Sequence, residues 1–303
     1  MQITLCGVRG SIPTPLSSEE ILQRIISQSD GEQVSVRKLK SLAKNGRLSY
    51  GGDTSCVVVE DQDTAIIIDA GTGIRRVNNM AVGQAKEIHL LLTHLHWDHI
   101  QGLPFFKAMY TSGCKVHIHS VVDIKDIKKA FKQQWTEPFF PVPYAAVAPQ
   151  LEFHQLGMKD KIGSLKVEAI KLAHPFPTFG YKISSKTSSY AHFSDTEISL
   201  LKASEKTKYK NFLKNVDFVV ADSQFDPQEV IEYKTWGHSC VHQFIDILAG
   251  GKPKTLGLFH YNPMESEEKI DDIFKKAKAY QKKVEGGSAI KLITCIEGQT
   301  HQI

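Results

Sequence analysis

The sequence of 303 residues lacks several features that would assign it to a specialised class of protein. Its five cysteines are scattered and include no C-x-x-C pair, which argues against a secreted disulfide framework. No apolar run reaches the roughly 18 residues that a membrane span requires. The first residues read as a strand rather than as a signal peptide. We therefore expect a cytoplasmic protein with no membrane partner.

Strong charge and long linkers are also missing. Lysine and arginine number 37 against 33 for aspartate and glutamate, which gives a net charge of +4. This balance suits a phosphate-bearing substrate without requiring one, and it is weaker than the clustered charge of most nucleic-acid binders. No repeat of fixed period and no linker rich in Pro, Gly or Ser divides the chain. We expect a single domain over residues 1–303, with a polar insertion at about 17–47.

Short runs of Val, Ile and Leu that end at Gly, Asp or Thr predict strands. The predicted strands occupy residues 2–6, 56–60, 65–69, 88–93, 151–156, 165–173, 181–184, 190–194, 216–221, 255–260 and 290–296. Because strands and helices occur in both halves of the chain, we expect an α/β protein in which two sheets pack together between helices.

Helices are predicted from capping residues and from the spacing of apolar residues. One helix follows Ser120, and two others occupy residues 241–248 and 263–280. Asn262 is the predicted N-cap of the last helix. A capping box that starts at Ser17 predicts a short helix at the beginning of the insertion.

What is abundant is histidine, with 13 residues, and several of them form one motif. The segment THLHWDH places His94, His96, Asp98 and His99 directly after the apolar strand at 88–92. Imidazole and carboxylate groups are ligands for zinc and for other divalent first-row metals. The motif therefore predicts a metal site at a strand end, against the alternative of a solvated polar loop.

This motif resembles the signature of the metallo-β-lactamase superfamily. Further matches follow in order along the chain: IIIDAGTG at 66–73, His174 in AHPFPTFGY, Asp195 in FSDTE and His260 in LFHYNP. The resemblance covers essentially the whole chain. It implies a four-layer αββα sandwich, with two mixed β-sheets flanked by helices, and a dinuclear metal site on one edge.

The resemblance also implies a ligand set for two divalent ions per chain. It assigns His94, His96 and His174 to one ion, Asp98, His99 and His260 to the other, and Asp195 to a bridging position. Such sets leave room for a bridging hydroxide. Zinc is the expected metal, with manganese and iron as alternatives. The same resemblance makes Asp69 a supporting residue beside the metals.

Later motifs resemble the phosphodiesterase branch of the superfamily, which includes tRNase Z and phosphoribosyl cyclic phosphodiesterases. They are WGHS around His238, ADSQF around Asp222, and the segments LCGVRGSIP and YGGDTSC. This resemblance implies hydrolysis of phosphodiester bonds by attack of a metal-bridged hydroxide on phosphorus. His238, oriented by Asp222, is the candidate for general acid or for charge stabilisation, and Asp98 joins them in the expected catalytic set. The alternative for His238 is a surface histidine beside a capped helix.

The expected substrate is a small cyclic phosphate or a cyclic nucleotide. The first alternative is tRNA 3′-end processing, which makes RNA the less favoured partner. Relatives with that activity use a long Gly/Pro-rich arm, and the sequence shows no such arm. A thioester hydrolase and a non-catalytic metal-binding protein are further alternatives. The resemblance also raises a homodimer as an expectation.

Three other features carry weaker predictions. His117 and His119 would share one face of a strand, and exposed positions are favoured there over a metal pair. The aromatic, proline-rich stretch at 135–149 is either a lid that stacks on a nucleobase or, as we favour, an irregular cover of the core or a dimer contact. The basic run at 37–47 is more often a solvated face than an RNA-binding surface.

Overall fold

The chain folds into two seven-stranded β-sheets. The structure is a computed structural model that describes residues 1–29, 34–251 and 253–303, so residues 30–33 of the predicted insertion lie outside the described residues. The first sheet contains β1 (Gln2–Gly7), β2 (Cys56–Asp61), β3 (Thr64–Ile68), β4 (Glu87–Leu91), β5 (Lys115–Ser120), β6 (Leu151–Gln155) and β14 (Thr300–Gln302). Its strand order is β14-β1-β2-β3-β4-β5-β6.

The second sheet is built from the second half of the chain. It contains β7 (Lys159–Ile162), β8 (Leu165–Lys171), β9 (Phe179–Ser184), β10 (Ser189–Phe193), β11 (Phe218–Asp222), β12 (Thr255–Phe259) and β13 (Lys291–Thr294). Its order is β13-β12-β11-β10-β9-β8-β7. Both sheets are mixed. The pairs within β3-β4-β5-β6 and within β10-β11-β12-β13 are parallel, and the remaining pairs, including β2–β3 and β9–β10, are antiparallel.

Helices flank the two sheets, which confirms the predicted αββα sandwich. The longer ones are Ser18–Ser27, Val36–Lys44, Ile124–Gln134, Ala203–Phe212, Val241–Leu248 and Glu267–Gln281. Short helical turns occupy Ile74–Val77, Ala81–Gln84, Trp97–Ile100, Leu103–Phe105, Lys107–Tyr110, Tyr144–Val147, Ala148–Gln150, Ile198–Leu200, Glu229–Glu232 and Gly287–Ala289. Within the described ranges, none of these helices has the length and apolar character needed to cross a bilayer.

Alternation along the strands separates the buried apolar residues into two large clusters. In β4, Leu91 belongs to a cluster shared with the second sheet. Its neighbour Leu90 belongs to another cluster, together with Ile127 and Phe131 of the helix Ile124–Gln134. One face of the first sheet therefore packs on the second sheet and the other face packs on helices.

Two predicted helix starts are wrong. Ser120 does not cap the helix Ile124–Gln134, because its hydroxyl donates to the Leu92 carbonyl and accepts from the Val122 amide; Asp123 is the N-cap. The last helix begins at Glu267 with Ser266 as N-cap, and not at residue 263. Asn262 instead accepts the Met264 amide in a separate turn.

The two unusual segments adopt distinct structures. The capping box at Ser17 is confirmed, and it starts the helix Ser18–Ser27. In the aromatic stretch, Trp135 is 1% exposed and packs in the core, as favoured, whereas Phe139 is 80% exposed. The two arginines of the basic run, Arg37 and Arg47, are both exposed on the surface.

Candidate metal centre

The predicted ligands lie where strands of both sheets end. The loop that carries His94 to His99 follows β4, and His174, Asp195 and His260 follow β8, β10 and β12. Parallel strands place their carboxyl ends at one edge of a sheet, where α/β proteins build their binding sites. The structure brings these residues together at one edge of the sandwich: His94, His96, Asp98, His99, His174, Asp195 and His260.

The donor atoms form two groups. In the first, His94, His96 and His174 offer atoms that all lie within 4.8 Å of one another, and His96 Nδ1 is 2.9 Å from His174 Nε2. The second group meets the same distance criterion. It consists of Asp98, His99 and His260, with 3.3 Å between His99 Nε2 and His260 Nε2. Two sets of three donors could each hold one ion.

Asp195 lies between the two groups. Its Oδ1 atom is 3.9 Å from His94 Nε2 and 3.4 Å from His260 Nε2, and its Oδ2 atom is 3.2 Å from His99 Nε2. Both Asp195 Oδ2 and His94 Nε2 are buried without a hydrogen-bond partner. Buried polar atoms without partners are costly, and a bound cation would satisfy them. The site therefore fits divalent metal ions.

Hydrogen bonds on the far side of the rings orient three of these histidines. They join His99 Nδ1 to Asp69 Oδ2 (2.7 Å), His174 Nδ1 to the Gly237 carbonyl (2.8 Å) and His260 Nδ1 to Gln224 Oε1 (3.1 Å). Because the acceptors carry no proton, each Nδ1 is the donor, and the lone pair on Nε2 faces the cluster. This is the arrangement found around metal-binding histidines.

Asp69 supports the site from behind, at the end of β3. Its carboxylate accepts the amide of Thr93 at 2.9 Å as well as the ring of His99. The Thr93 hydroxyl also donates to Asp69, and it lies 3.0 Å from His94 Nδ1. Asp69 has a φ of 59°, a left-handed conformation that is uncommon outside glycine. It thus holds one ligand directly and a second through Thr93.

Burial and neighbouring charges together set the protonation of the ligands. It lowers the pKa of His94 well below its usual range, and burial together with the neighbouring His174 lowers the pKa of His96 to about 4. Burial opposes ionisation of Asp195, but His260 and His99 outweigh it, so the pKa of Asp195 falls well below its usual range. The pKa of His99 is instead raised well above its usual range, because Asp195, Asp98 and Asp69 outweigh its burial, so a metal ion bound there would take the place of that proton.

His238 forms a buried pair with Asp222 beside the donor groups. Its Nδ1 atom lies 2.9 Å from Asp222 Oδ2. The Asp222 carboxylate also accepts the amides of Thr196 and Gln224, both at 3.1 Å, so its position is fixed. Burial opposes a charge on His238, but Asp222 outweighs it and raises the pKa of the ring.

The ring of His238 borders both donor groups. Its centroid lies 5.4 Å from that of His174 and 5.2 Å from that of His260. One of its nitrogens lies within 4.8 Å of donor atoms on His174 and Asp195. With a side chain only 10% exposed, His238 is not a surface histidine.

Sequence reasoning missed three contributors to the site. Gln224 holds His260, the Gly237 carbonyl holds His174, and the amide of Ser11 donates to Asp98 Oδ2 at 2.7 Å. Signals for all three were present, since Gln224 lies in ADSQF, Gly237 in WGHS and Ser11 in VRGSIP. A motif shows that a segment matters, but not which of its amides or carbonyls faces the ligands.

Comparison with known proteins agrees with this geometry. The family model described as the β-lactamase superfamily domain matches residues 64–261. The ribonuclease Z of Staphylococcus carnosus is 28% identical over 129 residues, which are 41% of this chain and 40% of that protein. The ribonuclease Z of Porphyromonas gingivalis is 29% identical over 138 residues, 44% of each chain. The match to these curated relatives thus spans less than half of their length.

Solved structures extend the likeness over the whole chain. The metallo-β-lactamase fold protein YhfI from Bacillus subtilis has a TM-score of 0.64 at 14% identity and covers 99% of this chain and 98% of its own. A diphosphatase of the PhnP family has a TM-score of 0.62 at 16% identity, and the match covers 100% of this chain and 97% of the diphosphatase. The predicted resemblance and fold are confirmed. The chain belongs to the β-lactamase superfamily, in the metallo-β-lactamase-fold group whose members include metal-dependent hydrolases.

Proposed function

We propose that this protein is a dinuclear metal-dependent phosphodiesterase that hydrolyses a small phosphodiester, such as a cyclic nucleotide or another cyclic phosphate. The observation that carries the proposal is the His238–Asp222 pair, 2.9 Å apart, next to both donor groups. Metal ligands alone would serve many reactions, whereas hydrolysis of a phosphodiester also needs a group that assists the departing oxygen.

The metal ligands are assigned as the donor groups suggest. His94, His96 and His174 would hold one ion, Asp98, His99 and His260 the other, and Asp195 would contact both. Bound there, two divalent ions would activate a water molecule and neutralise charge on the phosphoryl oxygens. Zinc fits the nitrogen-rich donors, and manganese and iron are the alternatives.

The protein itself would supply the proton. Asp222 fixes the Nδ1 side of His238, so the opposite ring nitrogen is free to face a substrate at the donor groups. The raised pKa of His238 keeps the ring protonated at higher pH than a free histidine. A protonated ring could donate to the departing alkoxide and stabilise negative charge on the phosphoryl group.

The experiment that tests this proposal is hydrolysis of bis-p-nitrophenyl phosphate by protein of measured metal content. We expect robust activity in the wild type, its loss in His96→Ala and a partial reduction in His238→Ala, since p-nitrophenolate departs without a proton. His242→Gln is the matched control, because His242 stacks on Tyr280. Metal-loaded wild type without phosphodiesterase activity would move the function to thioester hydrolysis or to binding without catalysis.

A second candidate is tRNA 3′-end processing, which the ribonuclease Z relatives favour. The exposed basic residues of the helix Val36–Lys44 are the surface that could contact RNA. Cleavage of a precursor tRNA without cleavage of cyclic nucleotides would make this the function. A charge reversal at Lys40 and Lys44 would then weaken RNA cleavage and leave hydrolysis of bis-p-nitrophenyl phosphate unchanged.

Three expectations about the whole protein also stay proposals. They are a single domain over 1–303, a cytoplasmic location and a homodimer. Light scattering on purified protein measures the mass of the assembly, and limited proteolysis tests whether one stable core is released. A monomeric mass would remove the dimer from the proposal without affecting the chemistry.

A further inference from the structure

Four histidines that the proposed activity does not use lie together on the first sheet. His89 is in β4, His117 and His119 are in β5, and His154 is in β6. His89 is paired with His117, and His119 with His154, on adjacent strands. Since alternate residues of a strand share a face, all four imidazoles project from the same side of the sheet.

This face is less exposed than the sequence suggested. His119 is 6% exposed, and His117 has a side chain only 14% exposed, so the predicted exposed positions are wrong. Leu90 and Ile118, which alternate with these histidines, pack in the apolar cluster on the opposite face. The histidines therefore line the side of β4, β5 and β6 that is turned away from the helices.

The ring nitrogens face one another in pairs. His117 Nδ1 lies 2.9 Å from His154 Nε2, and His89 Nδ1 lies 3.1 Å from His119 Nε2. These distances match those in the candidate metal centre, where facing nitrogens are 2.9 and 3.3 Å apart. One carboxylate joins the first pair: Glu152 Oε2 is 3.6 Å from His117 Nδ1.

The proton of His117 leaves a lone pair that points into the cluster. Its Nε2 contacts the carboxylate of Glu87, which only accepts, so Nε2 carries the proton. In a neutral ring Nδ1 then presents its lone pair toward His154 Nε2 and the Glu152 carboxylate, whose other oxygen pairs with Lys115. A carboxylate behind the ring is also how Asp69 holds His99 in the metal centre.

We propose that His117, Glu152 and His154 bind one divalent first-row metal ion at a site separate from the catalytic centre. Their donor atoms all lie within 4.8 Å of one another. Two nitrogens and one carboxylate oxygen suit zinc and its neighbours, and three protein ligands leave a coordination position for water.

The position of the site indicates what the ion would do. The ligand His154 is in register with Leu91 two strands away, so the rise of a strand and the spacing between strands place it roughly 14 Å from His94. His117 and Glu152 are directly paired across β5 and β6, and β6 is the edge strand of its sheet. The ion would hold the edge strand to its neighbour and would not touch the substrate.

Zinc titration tests this inference. Protein is first loaded with zinc until phosphodiesterase activity is constant, and further uptake is then measured by calorimetry and by elemental analysis after gel filtration. We expect the wild type and the control His242→Gln to take up one more zinc per chain. His154→Gln should take up none and should keep its activity, because His154 is remote from the catalytic donors.

A second variant guards against misfolding of the first. Glu87 is exposed and only orients His117, so Glu87→Gln should fold and should weaken binding of the additional zinc about 10- to 100-fold. Equal uptake of additional zinc by wild type and His154→Gln would overturn the inference. So would the absence of additional uptake by the wild type, which would leave the cluster as a set of histidines hydrogen-bonded to one another.

Discussion

The ring of His174 rests against the main chain of Gly237, with Nδ1 2.8 Å from the carbonyl oxygen. Gly237 immediately precedes His238, and its amide donates to Glu197 Oε2 at 2.9 Å. Glu197 follows Asp195 by two residues. A proposed metal ligand, the proposed general acid and the segment of the proposed bridging residue are thus held together by two hydrogen bonds at one glycine.

We expect Gly237→Ala to disrupt this arrangement. A Cβ atom there would lie 2.2 Å from His174 Nδ1, and the φ of 91° is itself unfavourable for alanine. Displacement of His174 should lower the metal content and reduce phosphodiesterase activity about 100-fold. Elemental analysis and steady-state kinetics measure the two effects.

The control for backbone strain is Gly113→Ala. Gly113 has a φ of 77°, and nothing lies within 4 Å of its added Cβ. This variant should lose some stability and keep its metal and its activity. If both variants behaved alike, the contact with His174 would not be the cause.

A second prediction separates the two roles considered for His238. If the ring donates a proton, His238→Ala should lower kcat about 100- to 10,000-fold for a cyclic nucleotide, whose departing alkoxide is strongly basic. The loss should be smaller for bis-p-nitrophenyl phosphate, since p-nitrophenolate departs readily without a proton. Equal losses for both substrates would instead assign His238 to charge stabilisation. Metal content should be unchanged in either case.

The third prediction concerns metal removal and Asp69. Dialysis against a chelator should abolish activity, and zinc should restore it. Because Asp69 orients His99 and, through Thr93, His94, Asp69→Asn should weaken metal binding about 10- to 100-fold. Activity at saturating zinc should largely recover. Asp217→Asn is the control, since Asp217 precedes β11 at the strand end remote from the site. An unchanged zinc affinity in Asp69→Asn would refute the supporting role.

A fourth prediction tests the buried ion pair between Arg9 and Glu267. Both side chains are 2% exposed, and Glu267 also accepts the amide of Tyr50 at 2.7 Å. Glu267→Gln would leave the guanidinium of Arg9 buried without a counter-charge. We expect the free energy of unfolding to fall by about 3–5 kcal/mol, measured by denaturant titration.

The matched control lies in the same helix. Lys276 pairs with Asp272 one turn away, and both side chains are about half exposed. Lys276→Gln should therefore change the free energy of unfolding by less than about 0.5 kcal/mol. A similarly small effect of Glu267→Gln would mean that the Arg9 pair contributes no more than a surface pair.

The features predicted best were those encoded in adjacent residues. His94, His96, Asp98 and His99 follow one another in a short loop, so their proximity needed no knowledge of the fold. Most strands of the sandwich were also recognised, because they are short apolar runs with clear ends. The helix Ala203–Phe212 was not, since Tyr209 is its single buried residue and no apolar face marks it.

What the sequence could not predict depends on contacts between distant residues. Asn262 and Ser266 can both serve as N-caps, and the helix begins after Ser266. Its first residue, Glu267, pairs with Arg9, which lies 258 residues earlier in the chain. The burial of His119 likewise depends on pairing with β4 and β6. A local sequence pattern contains neither the contact between Glu267 and Arg9 nor the pairing of β5 with its two neighbours.

The distribution of the proposed ligands between the sheets has a mechanical consequence. His94 and His96 extend from β4 of the first sheet, and His174 extends from β8 of the second. One ion held by all three would add a cross-link between two layers that pack mainly through apolar side chains and are joined by few hydrogen bonds, such as that from the Tyr181 hydroxyl to the Leu92 carbonyl. Metal release would then let the sheets separate at the ligand edge first, and amide hydrogen exchange would rise at the carboxyl ends of β4 and β8 before it rose at their amino ends.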